Sequence, residues 1–308
     1  MSKNQEAKCA CSGKGYDYLV TCSCVASTVI TILLLLAKIY VLFVTGSSTM
    51  LASLTDSVMD LCVSLVNLFA VRYALMPPDR EHAYGHGKAE SLAGLMQSAF
   101  ICGTAVLLIL HGSECVVTPR KVENLSFGIY ITVATIVITL LLVMFQIYVV
   151  KRTGSQVVNA DSFHYRLDVL LNVGVLGSFA LMKYYPSLDF VDGVSTILIG
   201  LYIIYGASKI GYEAIQMLLD SAIAADDQQK IFDLAVREKD VINIHDLRTR
   251  QSGRIKIIQL HATMDGAMSL LRAHNVADRI EKSIRDAFPD ADVTVHMEPL
   301  DVRGTDEQ

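Results

Sequence analysis

Residues 51–70, LASLTDSVMDLCVSLVNLFA, form an apolar stretch that contains two carboxylates, Asp56 and Asp60. Their i, i+4 spacing places both side chains on one face of a helix, one turn apart. Ionisable groups are costly inside a membrane span and mark ion pathways or proton relays there. Both residues could instead be helix caps, but Asp60 lies a full turn deeper than Asp56, which argues against capping. The stretch therefore predicts a transmembrane helix with a functional acidic face.

A second apolar stretch, DSFHYRLDVLLNVGVLGSFAL at residues 161–181, contains His164 and Asp168, again spaced i, i+4. A single histidine in such a helix is often a hydrogen-bonded core residue rather than a ligand. The repetition of an ionisable pair in two stretches favours a shared site instead. Three carboxylates and one imidazole can close a tetrahedral site around a divalent metal. The quartet of Asp56, Asp60, His164 and Asp168 therefore indicates metal transport.

The overall composition agrees with a membrane protein. The chain has 308 residues, of which 52% are hydrophobic and 19% are charged, whereas soluble domains are about a quarter charged. The net charge of -5 argues against nucleic acid as a partner. No cleavable signal peptide is recognisable, because the first apolar stretch follows a polar leader and is long enough to span a bilayer.

About six spans of roughly 20 residues can be recognised, the length that a transmembrane helix needs. They run approximately over residues 18–45, 51–75, 90–113, 125–150, 157–183 and 187–213. Basic residues concentrate at one end of these spans, namely at Lys3, Lys8, Lys14, Arg72, Arg80, Lys88, Lys151 and Arg152. The other end carries Arg120, Lys121 and Lys183. Since basic loops stay inside, we expect a multi-pass inner-membrane protein with both termini in the cytoplasm.

After about residue 215 the chain becomes more polar, and its patterns alternate between helix and strand. DDQQKIFDLAVREK and SLLRAHNVADRIEKSIRDAFP have helical patterns, whereas HDLRTRQSG, RIKIIQLHATMD and DVTVHMEPL have the patterns of strands. The predicted fold class is therefore an α-helical membrane protein with a small α+β domain of α-β-β-α-β order, ferredoxin-like or metallochaperone-like. The predicted domains are a cytoplasmic leader (1–17), a six-helix transmembrane domain (18–215), a cytoplasmic metal-binding and dimerisation domain (216–300) and a disordered tail (301–308).

The loop DREHAYGHGKAE, which follows the second span, contains Asp79, His82 and His86. The two histidines are again spaced i, i+4, and Asp and His side chains can together ligate zinc. Such a charged loop is more commonly a solvated turn. We therefore expect either a second metal site or an exposed connection here.

The small C-terminal domain contains four histidines and one carboxylate that could form a further site. Each histidine by itself would more often be an ordinary surface residue. Their spread over several elements of one small domain favours a shared site that could hold two metal ions. These residues are His245, His261, His274, His296 and Glu298.

The cysteines give a weaker signal. Cys9 and Cys11 form one C-x-C pair, and Cys22 and Cys24 form another. These pairs could bind a soft metal, but they lack the fuller Cys/His pattern of a zinc finger. Their role is left open.

At these motifs the chain resembles the cation diffusion facilitator family, and most closely its bacterial zinc and ferrous-iron efflux branch. The resemblance extends from about residue 18 to about residue 300, and the stretches that carry it are SLTDSVMD, PPDREHAYGHGKAESLAGLMQS, DSFHYRLDV, GYEAIQMLLD and HDLRTRQSG. It implies that the intramembrane quartet is the transport site, that the loop holds a second site and that the cytoplasmic cluster is binuclear. It also implies a homodimer in which Lys88 and Asp220 form a charge pair near the membrane surface. One residue departs from the pattern, because Glu298 stands where this branch usually has aspartate, and its longer arm can alter how the carboxylate bridges two metal ions.

These observations predict a secondary transporter, without catalytic residues, that exchanges a cytoplasmic divalent cation for protons. Metal ligands must be deprotonated, so metal and protons compete for the same groups. Zn²⁺ is the expected cargo, with Fe²⁺, Cd²⁺ and Mn²⁺ as alternatives, because the imidazole nitrogen favours Zn²⁺ or Cd²⁺ over a hard ion. A membrane-bound metal sensor would explain the cytoplasmic histidines but not the intramembrane ones. An intramembrane metallo-hydrolase is disfavoured, because the sequence has no H-E-x-x-H motif and the quartet would leave no position for water.

Overall fold

The computed structural model describes residues 13–45, 48–117, 126–184 and 190–300. Contacts divide the chain into two units, Met1–Ile215 and Gln216–Gln308. The predicted disordered tail, 301–308, and the first twelve residues of the predicted leader lie outside the described residues. The domain boundaries stay predictions, although the first helix begins at Gly13, inside the predicted leader.

The first unit is built from long helices. They are α1 (Gly13–Thr45), α2 (Ser48–Ala74), α3 (Lys88–Val117), α4 (Ser126–Thr153), α5 (Gln156–Tyr184) and α6 (Phe190–Leu218). All but α5 contain a segment that is long and apolar enough to cross a membrane, judged by length and composition over the described residues. α5 is as long as its neighbours but carries Asp161, Arg166 and Asp168. These apolar segments agree with the prediction of a helical membrane domain.

Several buried clusters hold these helices together. One includes Tyr16 and Val20 of α1, Val71 of α2 and Val149 of α4. In another, α5 packs on α6 at Phe163, the residue before His164. A Cβ atom at Gly206 of α6 would overlap the Phe163 ring. This glycine therefore leaves room for the Phe163 ring against α6, beside the predicted transport site.

The second unit contains α7 (Ala225–Val236), β1 (Asn243–Ser252), β2 (Ile255–Asp265), α8 (Leu270–Ala287) and β3 (Ala291–Leu300). This order is the predicted α-β-β-α-β arrangement. The sheet order is β1-β2-β3, with β1 antiparallel and β3 parallel to β2. A parallel pair needs a crossover connection, and α8 provides it. The helices cover one face of the sheet around a core that includes Ile231, Ile258, Leu260, Ile280 and Ile284.

Candidate metal-binding sites

The intramembrane residues converge between α2 and α5. The Nε2 atom of His164 lies 3.2 Å from Oδ1 of Asp60 and 3.8 Å from Oδ2 of Asp168. One ligand atom from each of these three residues lies within 4.8 Å of the other two, close enough for all three to bind one ion. Asp56 lies on α2 one turn before Asp60, but its side chain is outside the described residues. The geometry therefore brings together three members of the predicted quartet.

Hydrogen bonds between hydroxyl groups join α1, α2 and α5 beside this site. The Tyr165 hydroxyl lies 2.7 Å from Thr31 Oγ1 on α1 and 3.1 Å from Ser64 Oγ on α2. Farther along α1, Lys38 Nζ donates to Ser57 Oγ at 2.6 Å. Ser57 precedes Asp60 by about one turn of α2, so a cation lies near the acidic site within the span.

The loop between α2 and α3 brings its three predicted residues together. Asp79 Oδ1 lies 3.4 Å from His82 Nδ1, and Asp79 Oδ2 lies 3.3 Å from His86 Nε2. The His82 and His86 rings are 4.6 Å apart. His86 is buried edge-on against Tyr73, and within the described residues its Nδ1 atom has no hydrogen-bond partner. This donor set of two imidazoles and one carboxylate suits zinc.

The Asp79 carboxylate is held as an anion by the loop backbone. The backbone N–H groups of His82 and Glu81 donate to Asp79 Oδ1 at 2.6 and 2.9 Å. These bonds, chiefly the one from His82, hold the pKa of Asp79 below its ordinary value. Because the folded-state pKa is lowered, the stabilisation by this anion is present at neutral pH and is lost only as the pH falls through the lowered value.

In the second unit, three histidines form a row across the sheet. His245 of β1 is opposite His261 of β2, which is beside His296 of β3. Glu298 reaches this row from β3: its Oε2 lies 3.0 Å from His245 Nε2 and its Oε1 lies 2.8 Å from His261 Nδ1. His296 Nε2 is 3.8 Å from the same Oε1. The two oxygens of the longer glutamate side chain thus face different histidines, Oε2 facing His245 and Oε1 facing His261 and His296. A carboxylate placed in this way can bridge two metal ions.

His274 is not part of this row. It lies on α8, is largely exposed and contacts Asp278 one turn later, at 3.6 Å. The group of ligand atoms found close together among the described residues contains His245, His261 and Glu298 instead. A role for His274 as a ligand stays a prediction.

Comparison with known proteins gives the family. Residues 24–219 match the cation efflux transmembrane domain, and residues 223–300 match the cytoplasmic domain of cation efflux proteins. The chain belongs to the cation diffusion facilitator family. The cation-efflux pump FieF of Cronobacter sakazakii is 45% identical over 287 residues, which cover 93% of this chain and 95% of the relative. FieF of Escherichia fergusonii is 44% identical over 289 residues, which cover 94% of this chain and 96% of the relative.

Solved structures of transporter domains each match about a quarter of this cation efflux protein. The metal-bound C-terminal domain of the CzcD transporter from Thermotoga maritima is 35% identical, covering 25% of this chain and 93% of that one, with a TM-score of 0.24. The cytosolic domain of a cation diffusion facilitator family protein is 34% identical, covering 24% of this chain and 90% of that one, with a TM-score of 0.23.

One residue near the cytoplasmic cluster was missed from the sequence. Asp246 Oδ2 lies 3.7 Å from His261 Nε2, on the ring edge opposite Glu298. Arg248 donates to Asp246 Oδ1 at 2.9 Å and holds the pKa of Asp246 below its ordinary value. Carboxylates commonly orient metal-ligating histidines in this way. The sequence does show that Asp246 follows His245 directly. Successive side chains of a strand point to opposite faces of the sheet, however, so strand alternation alone would have placed Asp246 on the face away from His245.

We expect Zn²⁺ to raise the melting temperature of this cation efflux protein through the cytoplasmic cluster. An ion that binds only the folded form at a hundred times its dissociation constant stabilises it by about 2.7 kcal/mol. Replacing His261 and His296 together with alanine should remove most of the zinc-dependent shift, measured in detergent against chelator. Lys282→Ala, at an exposed position of α8, is the matched control and should leave the shift in place. An equal loss in the control would mean that the row of histidines is not the site.

Proposed function

We propose that this cation efflux protein exports Zn²⁺ from the cytoplasm in exchange for protons, through the site between α2 and α5. The supporting observation is the placement of His164 Nε2 within 3.2 Å of Asp60 on α2 and 3.8 Å of Asp168 on its own helix. Asp56, one turn before Asp60, would supply the fourth ligand. A site whose ligands come from two helices can be opened to either side by a relative motion of those helices.

Proton coupling follows from the chemistry of the ligands. Zn²⁺ binds carboxylates and neutral imidazole, so it can enter only after protons have left His164 and the aspartates. Protons that enter from the outside take back the same lone pairs and release the metal there. Because one set of groups cannot hold both at once, outward movement of the metal is coupled to inward movement of protons. Alternating access around a fixed site would complete the cycle.

The choice of metal depends on the single nitrogen ligand. Imidazole suits Zn²⁺ and the chemically similar Cd²⁺, whereas sites made entirely of oxygen suit Mn²⁺ and other hard ions. Fe²⁺ remains an alternative cargo, since imidazole and carboxylate together also bind it. Zn²⁺ is the cargo that the donor set at Asp60, His164 and Asp168 favours.

The other two sites are proposed to bind metal without lying on the transport route. Asp79, His82 and His86 would form one site at the end of α2. The cytoplasmic site would use the histidine row of the sheet with Glu298, and His274 would join it as a further ligand. The binding of metal by groups from three strands would stabilise the cytoplasmic unit.

The protein is further proposed to act as a homodimer in the inner membrane, with both termini in the cytoplasm. The match to the cytoplasmic domain of cation efflux proteins supports assembly through that domain. Lys88 and Asp220 are proposed as a charge pair near the membrane surface. Asp220 accepts a hydrogen bond from Arg250 at 3.2 Å within its own unit.

The experiment that tests this proposal is metal flux in proteoliposomes with an imposed pH gradient. We expect Zn²⁺ to accumulate in the acidic compartment, faster as the gradient steepens, with release of protons into the other compartment. A Zn²⁺ flux that does not depend on the pH gradient would contradict antiport but would still agree with Zn²⁺ transport. Zn²⁺ binding without any flux would instead favour a metal sensor.

A further inference from the structure

Asp161 is a buried carboxylate in the helical unit that the transport scheme does not use. It lies on α5 and is 2% exposed. Three side-chain amides converge on it: Gln146 Nε2 donates to Oδ2 at 2.6 Å, Asn67 Nδ2 donates to Oδ1 at 3.1 Å, and Gln97 Nε2 donates to Oδ1 at 3.5 Å. Asn67 also donates to Gln97 Oε1 at 3.1 Å. These residues come from α2, α3 and α4, so Asp161 joins four helices at one point.

The donors match an ionised carboxylate. All three are neutral N–H groups, and an ionised carboxylate is an acceptor with about four lone-pair positions on two oxygens. Asparagine in the same place would offer one oxygen and would turn an amide N–H toward donors. Burial of a charge is costly unless it is fully hydrogen-bonded, so a residue needed only to fill space would be apolar. The cluster therefore has a specific structural task.

That task follows from the way in which α2 and α5 run side by side. Three polar contacts join them: Asn67 with Asp161, Ser64 with Tyr165, and Asp60 with His164. The three residues on α2 are each about one turn apart, and on α5 Asp161 lies one turn before the adjacent residues His164 and Tyr165. The contact at Asp161 is thus one turn from those beside the proposed transport site, toward the cytoplasm by the predicted orientation.

We propose that Asp161 is a positioning residue for metal transport. Its carboxylate, held by Asn67, Gln97 and Gln146, fixes the register and rotation of α5 against α2, and so fixes the distances from His164 and Asp168 to Asp60. The inference rests on the assignment of the transport site to those three ligands. A ligand set that is displaced by about 1 Å loses much of its efficiency, so the effect should appear in metal affinity.

The test is Asp161→Asn in proteoliposomes. We expect the apparent KM for Zn²⁺ to rise roughly tenfold with Vmax changed by no more than about threefold, because all ligands remain but are misaligned. The double variant Asp161→Asn/Gln146→Glu returns a carboxylate to the cluster and lets the new asparagine donate to it. It should bring the KM back to within about threefold of wild type. Thr104→Val is the control, since its hydroxyl donates to the Ile101 carbonyl of its own helix, α3.

A second variant guards against a failure to assemble. Gln146→Met removes the 2.6 Å donor at nearly constant volume and should raise the KM by about threefold. If neither variant assembles, Asp161 is a folding residue and the inference is wrong. An unchanged KM in Asp161→Asn, alongside loss of flux in Asp60→Ala, would overturn the inference while keeping the transport assignment. A shift in the pH dependence of flux, with the KM unchanged at alkaline pH, would overturn it too, because Asp161 would then act on protons rather than on position.

Discussion

Replacing Asp60 with alanine is expected to abolish metal flux while the protein still assembles. Asp60 is the member of the site that α2 contributes opposite His164, at 3.2 Å. Loss of groups that merely orient metal ligands costs 10–100-fold in affinity, so loss of this ligand should reduce flux by at least about a hundredfold. The fold should tolerate the change, because removing an ionisable group from a span relieves a cost of about 2.5–3.5 kcal/mol.

The measurement is Zn²⁺ flux into proteoliposomes, with the dimer fraction and melting temperature determined on the same preparation. Cys62→Ala is the matched control, because Cys62 lies on the same helix two residues later and is exposed. We expect that control to transport like the wild type. Flux at the wild-type level in Asp60→Ala, in vesicles free of leak, would remove the intramembrane site from the mechanism.

The helical periodicity of the sequence was enough to group the residues that are proposed as the transport site. The i, i+4 pairs in residues 51–70 and 161–181 put ligands on one face of each helix, whatever the tertiary structure. Periodicity does not fix how one helix is rotated against another, however. The sequence therefore predicted which residues belong together, but not that His164 would lie closer to Asp60 than to Asp168.

Asp161 is a second case in which helical periodicity does not reveal contacts between helices. Asp161 lies within the second stretch, but helical periodicity gives it no partner, because its partners Asn67, Gln97 and Gln146 are isolated amides on three other helices. A signal was present in hindsight, since each amide interrupts an apolar span, where a polar group needs a partner. Which partner each one has depends on packing that a single sequence does not reveal.

The cytoplasmic row depends on a backbone irregularity. Near the turn, β1 and β2 pair as Ser252 with Ile255, and continued pairing in this register would put His245 opposite Ala262. A register shift between His245 and Arg248 places His245 opposite His261 instead. Asp246 lies within the shift and has a left-handed backbone, with φ of 47°. A β-bulge of this kind re-aims side chains, and simple strand alternation cannot predict it.

His274 illustrates a different limit. The number of histidines in one small domain favoured a single shared site. That number does not show in which direction each side chain points from its helix or strand. The amphipathic pattern of α8 buries Val276, Ile280 and Ile284 against the sheet, which turns His274 toward solvent and Asp278. The helix pattern contained this information about the direction of the side chain, and the role of His274 as a metal ligand stays a prediction.

His164→Asp is expected to change the metal preference rather than to stop transport. The substitution replaces the one nitrogen ligand with oxygen and makes the site all carboxylate, a donor set that favours Mn²⁺ relative to Zn²⁺. The shorter side chain still projects from the same turn of α5 toward Asp60. We expect the ratio of Mn²⁺ to Zn²⁺ transport to rise by at least about tenfold, equivalent to about 1.4 kcal/mol.

The measurement is competitive uptake of the two metals by vesicles, which cancels differences in the amount of active protein. His111→Asp is the control, because it makes the same substitution on α3, where His111 contacts Cys115 and belongs to no proposed site. The control should keep the wild-type ratio. If His164→Asp transports both metals in the wild-type ratio, the imidazole does not bind the cargo, and the nitrogen ligand cannot be the reason for a preference for zinc.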